Sequence, residues 1–395
     1  MKQKIDEVTQ ILSSEIIPKL GLLTGVGGQI LTCSELFLQK QIPQEWLNNL
    51  HKVLEERLAN EEFITTHCNG LAGIGWLYEY LSQRKIIDYD TNALLEECDT
   101  CLENELKRFL WEGNYDFLHG GVGIALYFAK RSAKKKALVT VLNNFLEDLE
   151  KLSTKQEDGA MKWLSIVVEA EHKSRQVYNI SLSHGISAII AMLSKLYRIE
   201  GVNQEKTETL LRGAVQYLLA QEIDKEQYGS CFPSYAHEST PTIFKSRLGW
   251  CYGDLGIASA LYQAGDTLKE KTWKNKALEI LIFAALHRKT LVENMVGDAG
   301  LCHGAAGIGH IFYRAWWNTK QPEFKDAADY WFEQTLKMAE FEDGLAGFKT
   351  FQISDGKPIW ENDYGFLTGV TGIGLALLTY YYQIEPAWDE CLLLS

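Results

Sequence analysis

The chain has 395 residues, of which 46% are apolar and 23% charged, and its formal net charge is −13. This composition is typical of a soluble globular protein and excludes a disordered chain or a small disulfide-stapled protein. The acidic balance also argues against a nucleic-acid partner. No apolar run approaches the roughly 18 residues of a membrane helix, and residues 1–7 lack the apolar core of a signal peptide, so we expect a cytoplasmic protein without membrane insertion.

Seven copies of a glycine motif recur along the chain. The motif is Gly-x-x-Gly followed by an apolar helical run. In chain order the copies begin at Gly25, Gly70, Gly120, Gly185, Gly253, Gly304 and Gly369. The fourth copy has Ala188 in place of its second glycine. More than half of the 32 glycines lie within the six residues that start at these seven glycines. Proline, which breaks helices, occurs only 7 times, so the pattern predicts a helical repeat protein.

A separate amphipathic stretch precedes each copy, with apolar residues at helical spacing. In chain order these stretches are about 3–17, 44–60, 91–110, 137–151, 206–222, 269–288 and 325–340. The repeating unit is therefore a helix, a loop, the glycine motif and a second helix. Strand-like alternation is confined to short runs such as residues 175–180.

Seven helix pairs without a long linker predict a single domain over residues 1–395. Glycine at the start of each second helix permits positive φ in the turn and close helix packing around a crowded centre. We therefore predict an all-α fold, an α/α toroid with seven inner and seven outer helices, and an open superhelical solenoid is the alternative. The longer loops, about 152–183, 223–249 and 341–365, are expected to cap one end.

The residue positions before each motif point to a metal site. Cys251 and Cys302 each lie two residues before the first glycine of a motif, in the fifth and sixth repeats. Because successive repeats are neighbours in space, we expect these cysteines to converge with His303 and with His184 of the fourth repeat. Two thiolates and one imidazole suit zinc, and three protein ligands leave one position open, as in catalytic zinc sites. Zinc lowers the pKa of an incoming thiol, so the predicted reaction is alkylation of sulfur.

An alternative interpretation treats Cys251 and Cys302 as small buried residues and His303 as a hydrogen-bonded core side chain. The side chain of His119, which precedes the first glycine of the third repeat, is either catalytic or a hydrogen-bonding group at the rim. Both alternatives remain open from the residues alone.

The other cysteines are interpreted as structural. The eight cysteines are irregularly spaced, which does not predict a disulfide framework. Cys68 shares the motif register but belongs to the second repeat, so we expect it to pack in the core. Cys98 and Cys101 form C-x-x-C within a predicted outer helix, without a second ligand pair. The end of the chain, residues 391–395, is interpreted as a plain tail.

Residues 247–253, Arg-Leu-Gly-Trp-Cys-Tyr-Gly, and 302–304, Cys-His-Gly, together with the seven glycine motifs, resemble the lanthionine synthetase C-like family of lantibiotic cyclases. The resemblance spans nearly the whole chain. It implies an α/α toroid that binds one Zn²⁺ per chain through Cys251, Cys302 and His303. It also implies addition of a peptide cysteine thiolate to dehydroalanine or dehydrobutyrine, which closes a (methyl)lanthionine thioether ring. Ala188 departs from the family's usual glycine, a change that would tilt the helix behind His184.

The resemblance also implies roles for further residues. We assign proton transfer to His184. Asp116 is assigned to orienting His184 or tuning its pKa, or to sharing in the proton transfer. Arg247 is assigned to stabilising the developing enolate. The residues assigned to the substrate pocket are Trp250, Tyr252 and His119. The alternative interpretations are a helix cap for Asp116 and a structural ion pair for Arg247.

The family's reaction implies a dehydrated precursor peptide as substrate, with a separate dehydratase and an export transporter as partners that would recruit the protein to the membrane. Because the sequence starts almost directly with the first repeat, we expect a stand-alone cyclase. Three alternatives remain open. They are glutathione addition to dehydrated residues of damaged proteins, prenyl transfer to a peptide cysteine, for which the chain lacks a basic diphosphate-binding cluster, and a non-enzymatic scaffold.

Overall fold

The structure, a computed structural model, describes residues 1–168, 174–239, 242–354 and 356–395. The helices in chain order are α1 (Lys2–Leu12), α2 (Val26–Leu38), α3 (Gln44–Asn60), α4 (Leu71–Gln83), α5 (Thr91–Leu94), α6 (Glu96–Trp111), α7 (Gly121–Arg131), α8 (Val139–Leu152), α9 (Ile186–Leu196), α10 (Gln204–Leu219), α11 (Lys225–Tyr228), α12 (Asp254–Thr267), α13 (Lys271–His287), α14 (Ala305–Thr319), α15 (Pro322–Lys337) and α16 (Val370–Tyr381). Short 3-10 helices lie at Lys136–Leu138, His237–Ser239 and Ala387–Leu392. In the described part of the chain, no helix combines the length and the apolar character needed to cross a membrane.

Among the described residues, three antiparallel hairpins accompany the helices. Their strands are β1 (Ser153–Lys155), β2 (Met161–Trp163), β3 (Ser165–Val168), β4 (Ser174–Val177), β5 (Thr350–Ser354) and β6 (Lys357–Glu361). The pairs are β1 with β2, β3 with β4 and β5 with β6, and Ser165 of β3 faces Val177 of β4. All three hairpins lie within the predicted long loops 152–183 and 341–365. Each of the predicted loops 152–183, 223–249 and 341–365 also includes residues outside the described ranges.

The glycine motifs mark the starts of the inner helices. In each of the seven repeats, the first glycine directly precedes a helix, and these helices are α2, α4, α7, α9, α12, α14 and α16. In α4, for example, every residue from Leu71 to Leu81 is buried. The predicted starting residues of the inner helices are confirmed, including that of α9, in which the buried Ala188 replaces the second glycine.

The outer helices coincide with the predicted amphipathic stretches and bury one face each. α10, for example, buries Leu210, Leu211, Val215 and Leu218. α1 ends at Leu12, before the predicted end at residue 17. The cause is local, because the Ser14 hydroxyl donates to the Ile11 carbonyl at 3.0 Å, a side-chain bond that competes with continuation of the helix.

Crowding by the preceding loop explains why the motifs need glycine. Six of the seven first glycines have extended backbones, so the expectation of positive φ holds only for Gly253, at +92°. A Cβ on Gly253 would lie 2.1 Å from the carbonyl oxygen of Arg247, six residues earlier. A Cβ on Gly70 would likewise lie 2.1 Å from the Ile64 carbonyl oxygen. The glycine therefore admits the loop that folds back over the helix start.

The same place in the loop, six residues before the first glycine, carries a capping side chain in four repeats. The Oδ1 atoms of Asn114, Asn179, Asp298 and Asp363 each accept a hydrogen bond, at 2.7–3.2 Å, from the amide two residues later. Such turns fix the direction in which a loop leaves. The fifth repeat has Arg247 at this place, so its loop is held by other contacts.

The chain divides into two compact units. The first contains residues 1–89 and 289–388, where α14 packs on α15 and α16, and α2 packs on α3, α4 and α16. The second contains residues 90–288 and 389–395, where α9 packs on α7, α10 and α12. The single domain over residues 1–395 stays a prediction.

The end of the chain is not a plain tail, which corrects the expectation from sequence. Cys391, Leu392, Leu393 and Leu394 are all at most 4% exposed. The carbonyl oxygen of Leu392 accepts a hydrogen bond from Trp250 Nε1 at 2.8 Å. Burial of three leucines supplies a large apolar driving force, so this segment belongs to the core of the second unit.

Candidate active site

The loops before α7 and α9 bring Asp116 and His184 together. His184 Nδ1 donates to Asp116 Oδ2 at 2.7 Å. The other carboxylate oxygen, Oδ1, accepts from the His119 amide at 2.7 Å. The His184 amide donates to the Ser181 hydroxyl at 3.1 Å. The Asp116 side chain and the His184 backbone are thus each held by their own loop, and the two loops lead into the packed helices α7 and α9.

This pairing changes the pKa of His184. Burial alone would lower the pKa, but the hydrogen bond that His184 donates to Asp116, the charge of Asp116 and that of Cys251 raise it above the ordinary 6.5. For His119, burial lowers the pKa, and the opposing charge of Asp116 does not offset this. A histidine whose pKa is raised by a neighbouring carboxylate is suited to general acid and base catalysis.

A cavity of about 580 Å³ opens at this pair, entirely within the second unit. Its wall includes Asp116, His119, His184, Asn179 and Tyr252. The Tyr252 hydroxyl accepts from Asn179 Nδ2 at 3.3 Å, and its ring centroid lies 6.1 Å from that of His184. Burial raises the pKa of Tyr252, which keeps the phenol neutral. His119 and Tyr252, two of the three residues assigned to the pocket, therefore line this cavity.

Sequence reasoning missed the other seven residues of the cavity wall, among them Tyr115, Ser165 and Asn179. The Tyr115 hydroxyl donates to the Trp163 carbonyl at 3.2 Å and contacts the Ser165 hydroxyl. Asn179 carried a usable signal, because it shares its loop position with Asn114, Asp298 and Asp363. Ser165 carried none, since no sequence pattern places β3 beside Tyr115.

The three predicted zinc ligands are divided between the two units. Cys251 belongs to the second unit, and Cys302 and His303 belong to the first. Cys251 is buried, and the other two side chains are half-buried. Tetrahedral zinc prefers sulfur and nitrogen ligands, so the donor atoms of two thiols and an imidazole suit zinc.

The backbone also joins the Cys251 loop to the His184 loop. The Cys251 carbonyl oxygen accepts from the amides of Leu182 and Ser183, at 3.2 and 3.4 Å. It accepts from the Ser183 hydroxyl as well, at 3.2 Å. Cys251 is therefore fixed against the residue next to His184.

A buried ion pair holds the loop that carries Cys251. The Asp254 carboxylate accepts from the amides of Cys231 and Phe232, at 3.1 and 3.0 Å, and from Arg288 Nη1 at 2.8 Å. Arg288 Nη2 donates to the Ser246 carbonyl at 2.5 Å. Asp254 and Arg288 are almost fully buried. This network therefore fixes the loop of the fifth repeat, which has Arg247 in place of a capping Asn or Asp.

Arg247 and Trp250 are two further predicted site residues, and their surroundings differ. Arg247 is half-buried, is not part of the cavity wall, and within the described residues its guanidinium makes no hydrogen bond or ion pair. Trp250 is 1% exposed, stands against Phe117 at 6.4 Å between ring centroids, and is not part of the cavity wall. Trp250 thus packs beneath the site, beside the buried end of the chain.

Comparisons with known proteins agree with the motifs. The sequence matches the family model described as lanthionine synthetase C-like protein over residues 16–393. The structure is similar to that of nisin cyclase, with 19% identity, a TM-score of 0.74 and coverage of 100% of this chain and 97% of that chain. It is less similar to cellobiose 2-epimerase from Bacillus thermoamylovorans, with 11% identity, a TM-score of 0.45 and coverage of 96% and 100%. None of the curated protein sequences matches.

The likeness to nisin cyclase shows a shared fold, which confirms the prediction of an all-α fold of the α/α-toroid class. The family match excludes only the first 15 residues and the last two. The chain belongs to the lanthionine synthetase C-like family.

Proposed function

We propose that this protein is a zinc-dependent lanthipeptide cyclase. In the proposed reaction, the thiolate of a peptide cysteine adds to the β-carbon of dehydroalanine or dehydrobutyrine. A carbon–sulfur bond forms, the double-bond electrons move toward the carbonyl as an enolate, and a proton then adds at the α-carbon. The observation that carries the proposal is the His184–Asp116 pair, which opens into a cavity and is fixed against the loop of Cys251.

Cys251, Cys302 and His303 would hold the zinc ion. Bound zinc would lower the pKa of an incoming peptide thiol from about 8.5, which supplies a nucleophile at neutral pH. The donor set of two sulfurs and one nitrogen supports zinc over magnesium or calcium, which prefer oxygen ligands.

The residues of the chain supply the proton transfer and charge stabilisation. His184 takes the proton from the thiol or delivers one to the α-carbon, and Asp116 keeps the ring oriented through Nδ1. The Arg247 guanidinium stabilises the negative oxygen of the enolate. His119 and Tyr252 shape the wall against which the peptide lies.

The proposed substrate is a ribosomally made precursor peptide whose serines or threonines have already lost water. A dehydratase must supply this peptide, because nothing in the proposed chemistry removes water. The proposal includes an export transporter that consumes the product, and a cytoplasmic location. The solved relative is itself named a cyclase, which supports this substrate class.

The experiment uses the zinc-loaded protein with a peptide that contains one dehydroalanine and one cysteine, in the presence of glutathione. Remaining thiols are then alkylated and the peptide mass is recorded, with protein-free and His184→Gln samples as controls. We expect an unchanged peptide mass and no alkylatable thiol, at a rate above both controls. A mass increase by one glutathione would instead establish the intermolecular alternative. A fully alkylatable peptide, also with a leader attached, would overturn the proposal.

A further inference from the structure

Glu390 joins the far ends of two inner helices. Its Oε2 accepts from Lys130 Nζ at 2.6 Å, and its Oε1 accepts from Lys195 Nζ at 2.7 Å. Lys130 lies in the last turn of α7 and Lys195 in the last turn of α9. The three side chains are only 14–20% exposed. Burial by itself would raise the pKa of Glu390, but the two lysines lower it, so the carboxylate stays charged.

The opposite ends of the same helices carry the catalytic pair. α7 follows the loop of Asp116 and α9 follows the loop of His184, and these side chains meet at 2.7 Å. Each helix has 11 residues and is therefore about 16 Å long. The helices pack against each other, run parallel, and are bridged at both ends.

The same terminal segment also contacts the third helix of the site. Trp250, next to Cys251, donates to the Leu392 carbonyl, and Gln263 Nε2 of α12 donates to the Leu393 carbonyl at 2.8 Å. Residues 390–393 thus contact each of the three elements that present Asp116, His184 and Cys251.

We propose that Glu390 is a positioning residue for the His184–Asp116 pair, because it fixes the spacing of α7 and α9 through Lys130 and Lys195. Helices are stiff over this length, so a change of spacing at one end alters the separation of the loops at the other. Misplacement of a catalytic group by 1 Å costs up to about 100-fold in rate. As a statement about catalysis, this inference rests on the proposed cyclase function, whereas the effect on the pair itself does not.

The test compares three variants of the full chain. Glu390→Gln removes the negative charge with little change in shape. Lys195→Gln removes one of the two ion pairs of Glu390 and leaves its pair with Lys130. Glu200→Gln is the matched control, since Glu200 pairs with Lys136 at 3.4 Å on the surface, with 90% and 63% of their side chains exposed. The first readout is the low-field NMR resonance of the His184 Nδ1 proton, which reports its hydrogen bond without any turnover. The second is the division of the rate effect between kcat and KM in ring closure.

We expect Glu390→Gln to shift or abolish the low-field resonance and to lower kcat roughly 10- to 100-fold, with KM within about twofold. Lys195→Gln changes both readouts less, in the same direction, and decides the question if Glu390→Gln does not fold. Glu200→Gln changes neither. An unchanged resonance and kcat in a folded Glu390→Gln or Lys195→Gln protein would overturn the inference. If the wild-type protein closes no ring but its resonance depends on Glu390, the proposed function fails and the positioning role stands.

Discussion

Asp116 uses its two oxygens for two purposes. Oδ1 accepts from the His119 amide in its own loop, and Oδ2 accepts from His184 Nδ1. The alternative interpretation of Asp116 as a helix cap is wrong, because the cap position of α7 is Gly120 and Asp116 binds a loop amide instead. This bond fixes where the carboxylate points, so its second oxygen reaches the imidazole at no further cost in side-chain freedom.

Asp116→Asn tests this pairing, because an amide keeps an acceptor for the His119 amide but loses the charge facing His184. The raised pKa of His184 falls, so the imidazole loses its proton at lower pH. We expect ring closure to slow about 100-fold and its dependence on the imidazole to move to lower pH. The measurement is kcat/KM against pH, with Asp158→Asn as control, since Asp158 caps only the exposed turn at Ala160. An unchanged pH profile would contradict the role of Asp116.

The stability linkage has a definite sign for His184. Its folded-state pKa lies above the unfolded value, so the protonated ring stabilises the fold fully below pH 6.5, and this contribution is lost as pH rises through the raised pKa. Asp116→Asn removes that contribution, which appears as a smaller stability difference between the two proteins at high pH than at low pH.

The pKa of His51 is shifted in the opposite direction from that of His184. It is 2% exposed between Tyr78 and Tyr89, and within the described residues neither ring nitrogen has a hydrogen-bond partner. Burial lowers its pKa from 6.5 to about 4, so the unfolded chain binds a proton between these values that the folded chain does not. Stability therefore falls with acidification, by about 2 kcal/mol between pH 7.5 and pH 5.

His51→Phe keeps the aromatic contacts and removes this titration. Urea unfolding of the two proteins at pH 7.5 and pH 5 checks the prediction. The variant is expected to lose about 2 kcal/mol less than the wild type on acidification. An equal loss in both proteins would show that His51 is protonated without penalty.

At the scale of single residues, the resemblance to the family implied that Asp116 acts on His184, and the two side chains do contact each other. The zinc ligands Cys251, Cys302 and His303 stay a prediction. Tyr115 and Ser165 could not be predicted, because their approach depends on how the β3–β4 hairpin folds onto the helices.

The loop of the fifth repeat carries Cys251, one of the three proposed zinc ligands. Where other repeats place a capping Asn or Asp, it has Arg247, and the buried Asp254–Arg288 pair holds the loop instead. The loop therefore keeps its path although Arg247 replaces the capping side chain.

Asp254→Asn leaves the buried Arg288 without its counter-charge. We expect the free energy of unfolding to fall by about 3–5 kcal/mol and zinc affinity to fall with it, because the loop of Cys251 loosens. Urea unfolding and zinc titration measure the two effects. Asp266→Asn is the control, since Asp266 pairs with Lys274 and Arg198 at a partly exposed site and its loss costs less than about 1 kcal/mol. Unchanged zinc affinity in a folded Asp254→Asn protein would contradict the role of this pair.

Helix starts were predictable, because the glycine motif and the apolar run that follows it are local signals. The reason for the glycine was not, since extended φ at Gly70 and a carbonyl 2.1 Å from its missing Cβ appear only in the folded loop. The hairpins were also missed. Strands of three to five residues such as β1 and β5 are too short to show a clear alternation.

At the scale of the whole molecule, a similar loop precedes each glycine motif, and the side chains of this loop differ from repeat to repeat. The repeats fix where every inner helix begins, and side chains near these starts supply thiols, imidazoles, a carboxylate and a guanidinium. The end of the chain shows the limit of sequence reasoning. Residues 391–394 resemble a tail, yet they are buried, because their partners Trp250 and Gln263 lie more than a hundred residues earlier.

We propose that zinc held by Cys251, Cys302 and His303 is required for ring closure. The measurement that tests it most directly is zinc content together with ring closure, in wild type, Cys302→Ala and Cys101→Ala, where Cys101 is an exposed thiol on α6. We predict one zinc per chain and ring closure in wild type and Cys101→Ala, and loss of both in a folded Cys302→Ala protein. Ring closure at the wild-type rate by metal-free Cys302→Ala would contradict the account.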